Sequence, residues 1–220
     1  MAAVEKAHAS ATAEATPAEN AVKAVDVVQK AKLLYLDKKY VEARIEYRNA
    51  AELDPTSVAA HVGLGECALE LAAAAEARKA FDRALQLDPS CVPAHLGLAR
   101  MALDDGNVET AQRHAKKAVE QSPKSTEARL LLSTCFRKSG DLAGALEEAK
   151  AALFNEPTNA RAHTSVGQAL LDMGNVGVVE HGPIHTGIEP VDLAVSALAD
   201  PALHPALQRY VNVLVGHARR

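Results

Sequence analysis

Residues 40–55 read YVEARIEYRNAAELDP, and three later stretches follow the same pattern without a gap. They are AAEARKAFDRALQLDP at 74–89, VETAQRHAKKAVEQSP at 108–123 and LAGALEEAKAALFNEP at 142–157. The closing prolines, Pro55, Pro89, Pro123 and Pro157, stand 34 residues apart each time. A fixed period of this size marks a chain built from one small structural unit used repeatedly, each copy unable to bury its apolar face alone. Alanine dominates these stretches. It has the best helix propensity, and its small side chain lets neighbouring helices approach closely.

The period and the closing proline resemble the tetratricopeptide repeat, a helix–turn–helix unit with small residues at fixed sites. With each proline numbered position 32, the family's small residue at position 20 is Ala43, Ala77, Ala111 and Ala145. Its small residue at position 27 is Ala50, Ala84, Ala118 and Ala152, and position 8 holds Ala31, Gly65, Ala99, Ser133 and Gly167. Position 24, usually a large ring, holds Tyr47 and Phe81 and then shrinks to Ala115 and Ala149. Position 7 carries Leu64, Leu98, Leu132 and Val166, with Lys30 out of pattern in the first unit. Small residues at 8, 20 and 27 lie where the two helices of a unit come closest, and larger ones at 7 and 24 fill the gaps beside them. Gly106, Gly140 and Gly174 at position 15 are expected to end the first helix, where the left-handed conformation is needed. Asp141 follows as a cap for the second.

The fold this implies is all-α: a right-handed α-solenoid of stacked helix–turn–helix tetratricopeptide repeats with a C-terminal capping helix. Residues 1–23 form a polar, alanine-rich leader, disordered or loosely helical. The repeat array runs over 24–176, as four full repeats and the first helix of a fifth. After Gly174 the period breaks, and a fifth proline due at 191 is missing. Residues 177–190 then read as an inserted loop, and 191–220 as a displaced second helix followed by the cap. In that last helix Leu207, Tyr210, Val211, Leu214 and Val215 make one apolar stripe. The cap would close the array with a polar outer face. The rival reading is that it docks into a neighbouring chain and makes a homodimer.

Composition narrows the function classes. Aromatics are 3% of the 220 residues and tryptophan is absent, so no wide core can be filled. A formal charge of −4 argues against a nucleic-acid partner, which calls for a clustered basic excess. No run of 18 apolar residues offers membrane insertion. The N-terminus lacks an apolar signal region, so the expected location is cytoplasmic, or periplasmic if a signal peptide has been removed. Three widely spaced cysteines, Cys67, Cys91 and Cys135, fit free buried thiols in a reducing compartment.

In the tetratricopeptide family the concave face is lined by the first helix of each unit, at positions 2, 5, 6, 9, 12 and 13. The peptide-binding groove this implies takes Val28, Gln29, Lys32 and Tyr35 from the first unit and Val62, Gly63, Glu66 and Leu69 from the second. The third gives Leu96, Gly97, Arg100 and Leu103, and the fourth Leu130, Leu131, Thr134 and Arg137. The strip reads as largely apolar with a bare floor at Gly63 and Gly97. That suits a hydrophobic or amphipathic peptide, unless the protein's own leader or tail covers it. Co-chaperones of the family grip a chaperone's C-terminal carboxylate with basic and asparagine residues at defined positions. Here those places hold Val28, Lys32, Gly63, Pro93 and Gly97, so the chain lacks that clamp.

His61, His95 and His163 share position 4, a structural slot where the family commonly has tryptophan. His181 and His185 are weak metal candidates, since Gly182 and Pro183 between them favour a turn over a helix presenting both rings. No nucleophile, P-loop or zinc-protease motif appears, and no cofactor is expected. The leading expectation is therefore a non-catalytic scaffold or adaptor for a protein partner. The alternatives are a regulatory or targeting segment of a larger enzyme, or a secretion or envelope-assembly component.

Overall fold

The computed structural model describes residues 16–180, which form nine α-helices and no strand. In chain order these are α1 (Pro17–Leu36), α2 (Tyr40–Leu53), α3 (Val58–Glu70), α4 (Ala74–Leu87), α5 (Val92–Asp104), α6 (Val108–Gln121), α7 (Thr126–Ser139), α8 (Leu142–Asn155) and α9 (Ala160–Glu180). Each odd-numbered helix from α1 to α7 pairs with the next through a short turn, so a repeat is one helical hairpin. The chain divides into two compact units, up to Gly97 and from Leu98, with the division inside α5.

α1 begins at Pro17, inside the stretch read as leader. Thr16 accepts from the Glu19 amide while Glu19 accepts from the Thr16 amide, a reciprocal capping box, and Pro17 at the first turn has no amide to leave unsatisfied. Other helices start on the same principle. Ser57, Asn107, Ser125 and Asp141 each accept a hydrogen bond from the amide three residues on.

In the first unit the small residues do what their positions imply. Ala31, Ala43 and Ala50 are fully buried between α1 and α2, as are Ala77 and Ala84 on α4. Tyr47 joins Ala31, Ala43 and Cys67 in one apolar cluster, with Val28 and Leu64 packed against it. Glu76 of α4 accepts from Arg44 at 3.2 Å and Arg48 at 2.9 Å of α2, tying consecutive second helices together.

The second unit contains two clusters. Ala99, Ala102, Ala111, Ala115, Leu132 and Cys135 form one. Leu130, Ala145, Leu146, Ala149, Ala152 and Val166 anchor the other. Ser133 at position 8 is buried and donates to the Ala145 carbonyl at 2.7 Å, so its hydroxyl is satisfied where most copies have alanine or glycine.

Position 15 adopts the left-handed conformation in all four complete repeats: Lys38 (φ 60°), Ala72 (56°), Gly106 (75°) and Gly140 (86°). The expectation that Gly174 likewise ends its helix is not met. α9 continues through it to Glu180, taking in the first four residues of the stretch read as an insertion. A glycine inside a helix costs only about 1 kcal/mol relative to alanine, so it permits a break without imposing one. The rest of the inserted loop, the displaced second helix, the capping helix and its homodimer, and His181 and His185 lie outside the described residues.

Candidate functional site

The faces read as a groove are built by α1, α3 and the start of α5 in the first unit, and by the rest of α5, α7 and α9 in the second. In the first unit Gln29 and Lys32 are exposed, while Val28, Tyr35, Val62, Glu66 and Leu69 are half-buried. Tyr35 packs edge-on against Tyr40 at 5.3 Å. Burial pushes its hydroxyl up to about 12, with the Glu66 and Glu70 carboxylates adding to the shift.

The bare floor at Gly63 and Gly97 does not exist. A β-carbon on Gly63 would lie closer than 3.0 Å to the Tyr47 ring, and one on Gly97 closer than 3.0 Å to the Phe81 ring. Each glycine is the seat of the position-24 ring from the preceding second helix. Leu96, read as a groove residue, is 6% exposed, and Leu130 is 5% exposed and belongs to the α8–α9 core cluster. Their side chains chiefly hold the helices together.

In the second unit Arg100 is exposed and paired with Glu127, and Leu103 packs on the Ala99–Ala115 cluster. Leu131, Thr134 and Arg137 are half-buried. These three, with Leu130, line a cavity of about 360 Å³ whose other wall is α9: Ala160, Arg161, Thr164, Ser165 and Gln168. Arg161, Thr164, Ser165 and Gln168 stand at positions 2, 5, 6 and 9, the lining positions carried one period on.

The cavity follows from side-chain volume. Position 24 of one repeat faces position 6 of the next, sixteen residues later. Large rings there meet glycine, as in Tyr47–Gly63 and Phe81–Gly97. Where the ring becomes Ala115, Leu131 supplies the bulk and packs on the Ala115 cluster. The next couple is Ala149 and Ser165, small on both sides. Space remains beside Ser165.

Position 4 has a shared role. His61, His95 and His163 place Nε2 3.2, 3.1 and 2.9 Å from the carbonyls of Pro55, Pro89 and Pro157. Arg129, missed in the sequence, donates its Nε to the Pro123 carbonyl at 2.7 Å. Each repeat thereby satisfies the carbonyl of the proline that closed the one before. The histidines are structural.

The three cysteines are buried free thiols. Burial raises Cys67 to about 12 and Cys135 to about 11, and it raises Cys91 as well, so none offers a ready thiolate. Among the described residues no three His, Cys, Asp or Glu side chains converge as metal ligands, and no helix is long and apolar enough to cross a membrane.

The sequence profile of the tetratricopeptide repeat matches residues 34–101 and 102–169, well over half the chain. The chain belongs to the tetratricopeptide repeat family. Its hairpins are that family's repeats, and the cavity lies between the first helices of its fourth and fifth repeats. Solved tetratricopeptide structures resemble it in fold. YrrB superposes with a TM-score of 0.58 at 23% identity, covering 84% of this chain and 92% of YrrB. MamA gives 0.59 at 18% identity, covering 71% and 84%. The thermophilic protein TTC0263 of Thermus thermophilus gives 0.60 at 17% identity, covering 86% and 97%. No curated protein matches the chain.

Proposed function

We propose that this tetratricopeptide protein is a non-catalytic scaffold that holds a peptide segment of a partner protein against the first helices of its repeats. The cavity between α7 and α9 carries this reading. It is open, about 360 Å³ in volume, and combines an apolar floor at Leu130 and Leu131 with polar walls at Thr134, Arg137, Arg161 and Gln168. Small sites of this kind use apolar surface for affinity and a few polar groups for orientation. YrrB, similar in fold, is a tetratricopeptide protein with an unusual peptide-binding site. The mixed lining suits an amphipathic segment better than a purely hydrophobic one. Three buried thiols without a disulfide fit the expected cytoplasmic setting.

The test is Ser165→Tyr, which places a ring in the cavity. Partner protein recovered by affinity purification from the native source should fall sharply with this variant while helical content by circular dichroism stays unchanged. Equal recovery from both proteins would overturn the reading.

A further inference from the structure

Charge around the α7–α9 cavity is uneven, and this deepens the reading above, on which it rests. The nine lining residues include two arginines and no carboxylate. The acids nearby are already engaged. Asp172 accepts from Arg137 at 3.1 Å and from Gln168 at 3.3 Å. Glu156 accepts from the Asn159 side chain at 2.7 Å, the first of the hydrogen bonds that hold its carboxyl below the usual range. Glu127 is taken by Arg100. Arg161, exposed on the first turn of α9, has no ion-pair partner among the described residues. The hydroxyl protons of Thr134 and Thr164 go to the Leu130 and Ala160 carbonyls, both at 2.9 Å, leaving the two oxygens as acceptors.

We infer that the cavity receives an acidic side chain of the bound peptide, with Arg161 as its cation and the flanking peptide amides donating to Thr134 and Thr164. The guanidinium presents a fixed fork of donors that matches a carboxylate in two-pronged fashion. Leu130 and Leu131 in the same lining thin the water and strengthen that attraction. Arg137 is held by Asp172, so it positions the wall and adds little net charge. The occupant is an internal Asp or Glu, its single carboxylate set against the Arg161 guanidinium between α7 and α9.

The experiment selects random dodecapeptides, displayed with their C-termini fused so that no terminal carboxylate is free, on the full chain and on Arg161→Glu. Peptides enriched on the wild type should share an Asp or Glu beside an apolar residue. An amide-capped copy should lose roughly tenfold or more in affinity on Arg161→Glu, the scale of one charge-assisted hydrogen-bonded pair. Changing its acid to the amide should cost the same on wild type and little on the variant. Enriched peptides without a shared acid, or with affinity indifferent to Arg161→Glu, would overturn the inference and leave the scaffold reading standing. No enrichment on either protein would sink both. Circular dichroism of Arg161→Glu checks the fold, and an acid in the first turn of a helix favours it.

Discussion

The Phe81 ring of α4 occupies the place where a β-carbon on Gly97 of α5 would stand, and it presses equally on Gly65 of α3. The ring is fully buried. One aromatic side chain thus depends on two glycines, one in its own repeat and one in the next.

Gly97→Ala should therefore destabilise the first unit by about 1–3 kcal/mol, the range for overpacking a closed site. Phe81→Ala should cost about 3–5 kcal/mol by leaving a cavity. The double change Phe81→Ala with Gly97→Leu copies the Ala115–Leu131 couple and should recover part of that loss. Urea unfolding of all three variants measures the coupling. Strict additivity would show that the ring and the glycine are independent.

Ala72 holds a left-handed backbone, φ 56°, at a position where Gly106 and Gly140 stand in later repeats. An L-residue pays about 1–2 kcal/mol there, partly offset by the chain entropy glycine loses on folding. Ala72→Gly should stabilise the protein by about 0.5–1 kcal/mol, and Gly140→Ala should destabilise it by a similar amount. Thermal melts followed by circular dichroism report both signs.

The histidine–proline link predicts a graded response at position 4. His95 is buried at 3% exposure with Nε2 on the Pro89 carbonyl. His95→Ala should cost about 1–3 kcal/mol, because the carbonyl then loses a buried partner. His61 is more open, and His61→Arg should be nearly neutral because Arg129 makes the same bond in the fourth repeat. Denaturant midpoints separate the two. A large loss for His61→Arg would refute the interchange.

Alkaline pH should weaken the fold. Cys67 titrates near 12 and Cys135 near 11 in the native protein, against 9.0 for a free thiol. Tyr35 and Tyr47 stand near 12 against 10.0. Native groups hold their protons above the pH at which unfolded ones release them, so stability is full below about pH 9 and falls as pH rises towards 12. Urea midpoints measured from neutral to strongly alkaline pH should decline only above about pH 9. Native thiols should also react with iodoacetamide far more slowly than those of the unfolded chain.

Local sequence carried most of the fold. Four copies at a 34-residue period placed every hairpin from α2 to α8, because helix formers, capping residues and closing prolines act within a few residues of themselves. Asp141 capping α8 and the burial of Ala43, Ala77, Ala111 and Ala145 were legible in this way. The start of α1 was less so, since its capping box at Thr16 and Glu19 lies ahead of the regular pattern. The groove was legible only in part: Leu130, Leu131, Thr134 and Arg137 do line a cavity, whereas Gly63 and Gly97 looked like open floor and Leu96 is buried.

The repeat, its helices and its turns depend on spacing along the chain, and the amino-acid order was enough to define them. Which side chains meet across helices was settled by packing. Packing set Tyr47 and Phe81 on their glycines and drew Leu130 into the core. It also left a cavity between α7 and α9, beside the small pair Ala149 and Ser165. Volume is shared between residues sixteen apart on different helices, and a single position does not show how its partner will fill the space.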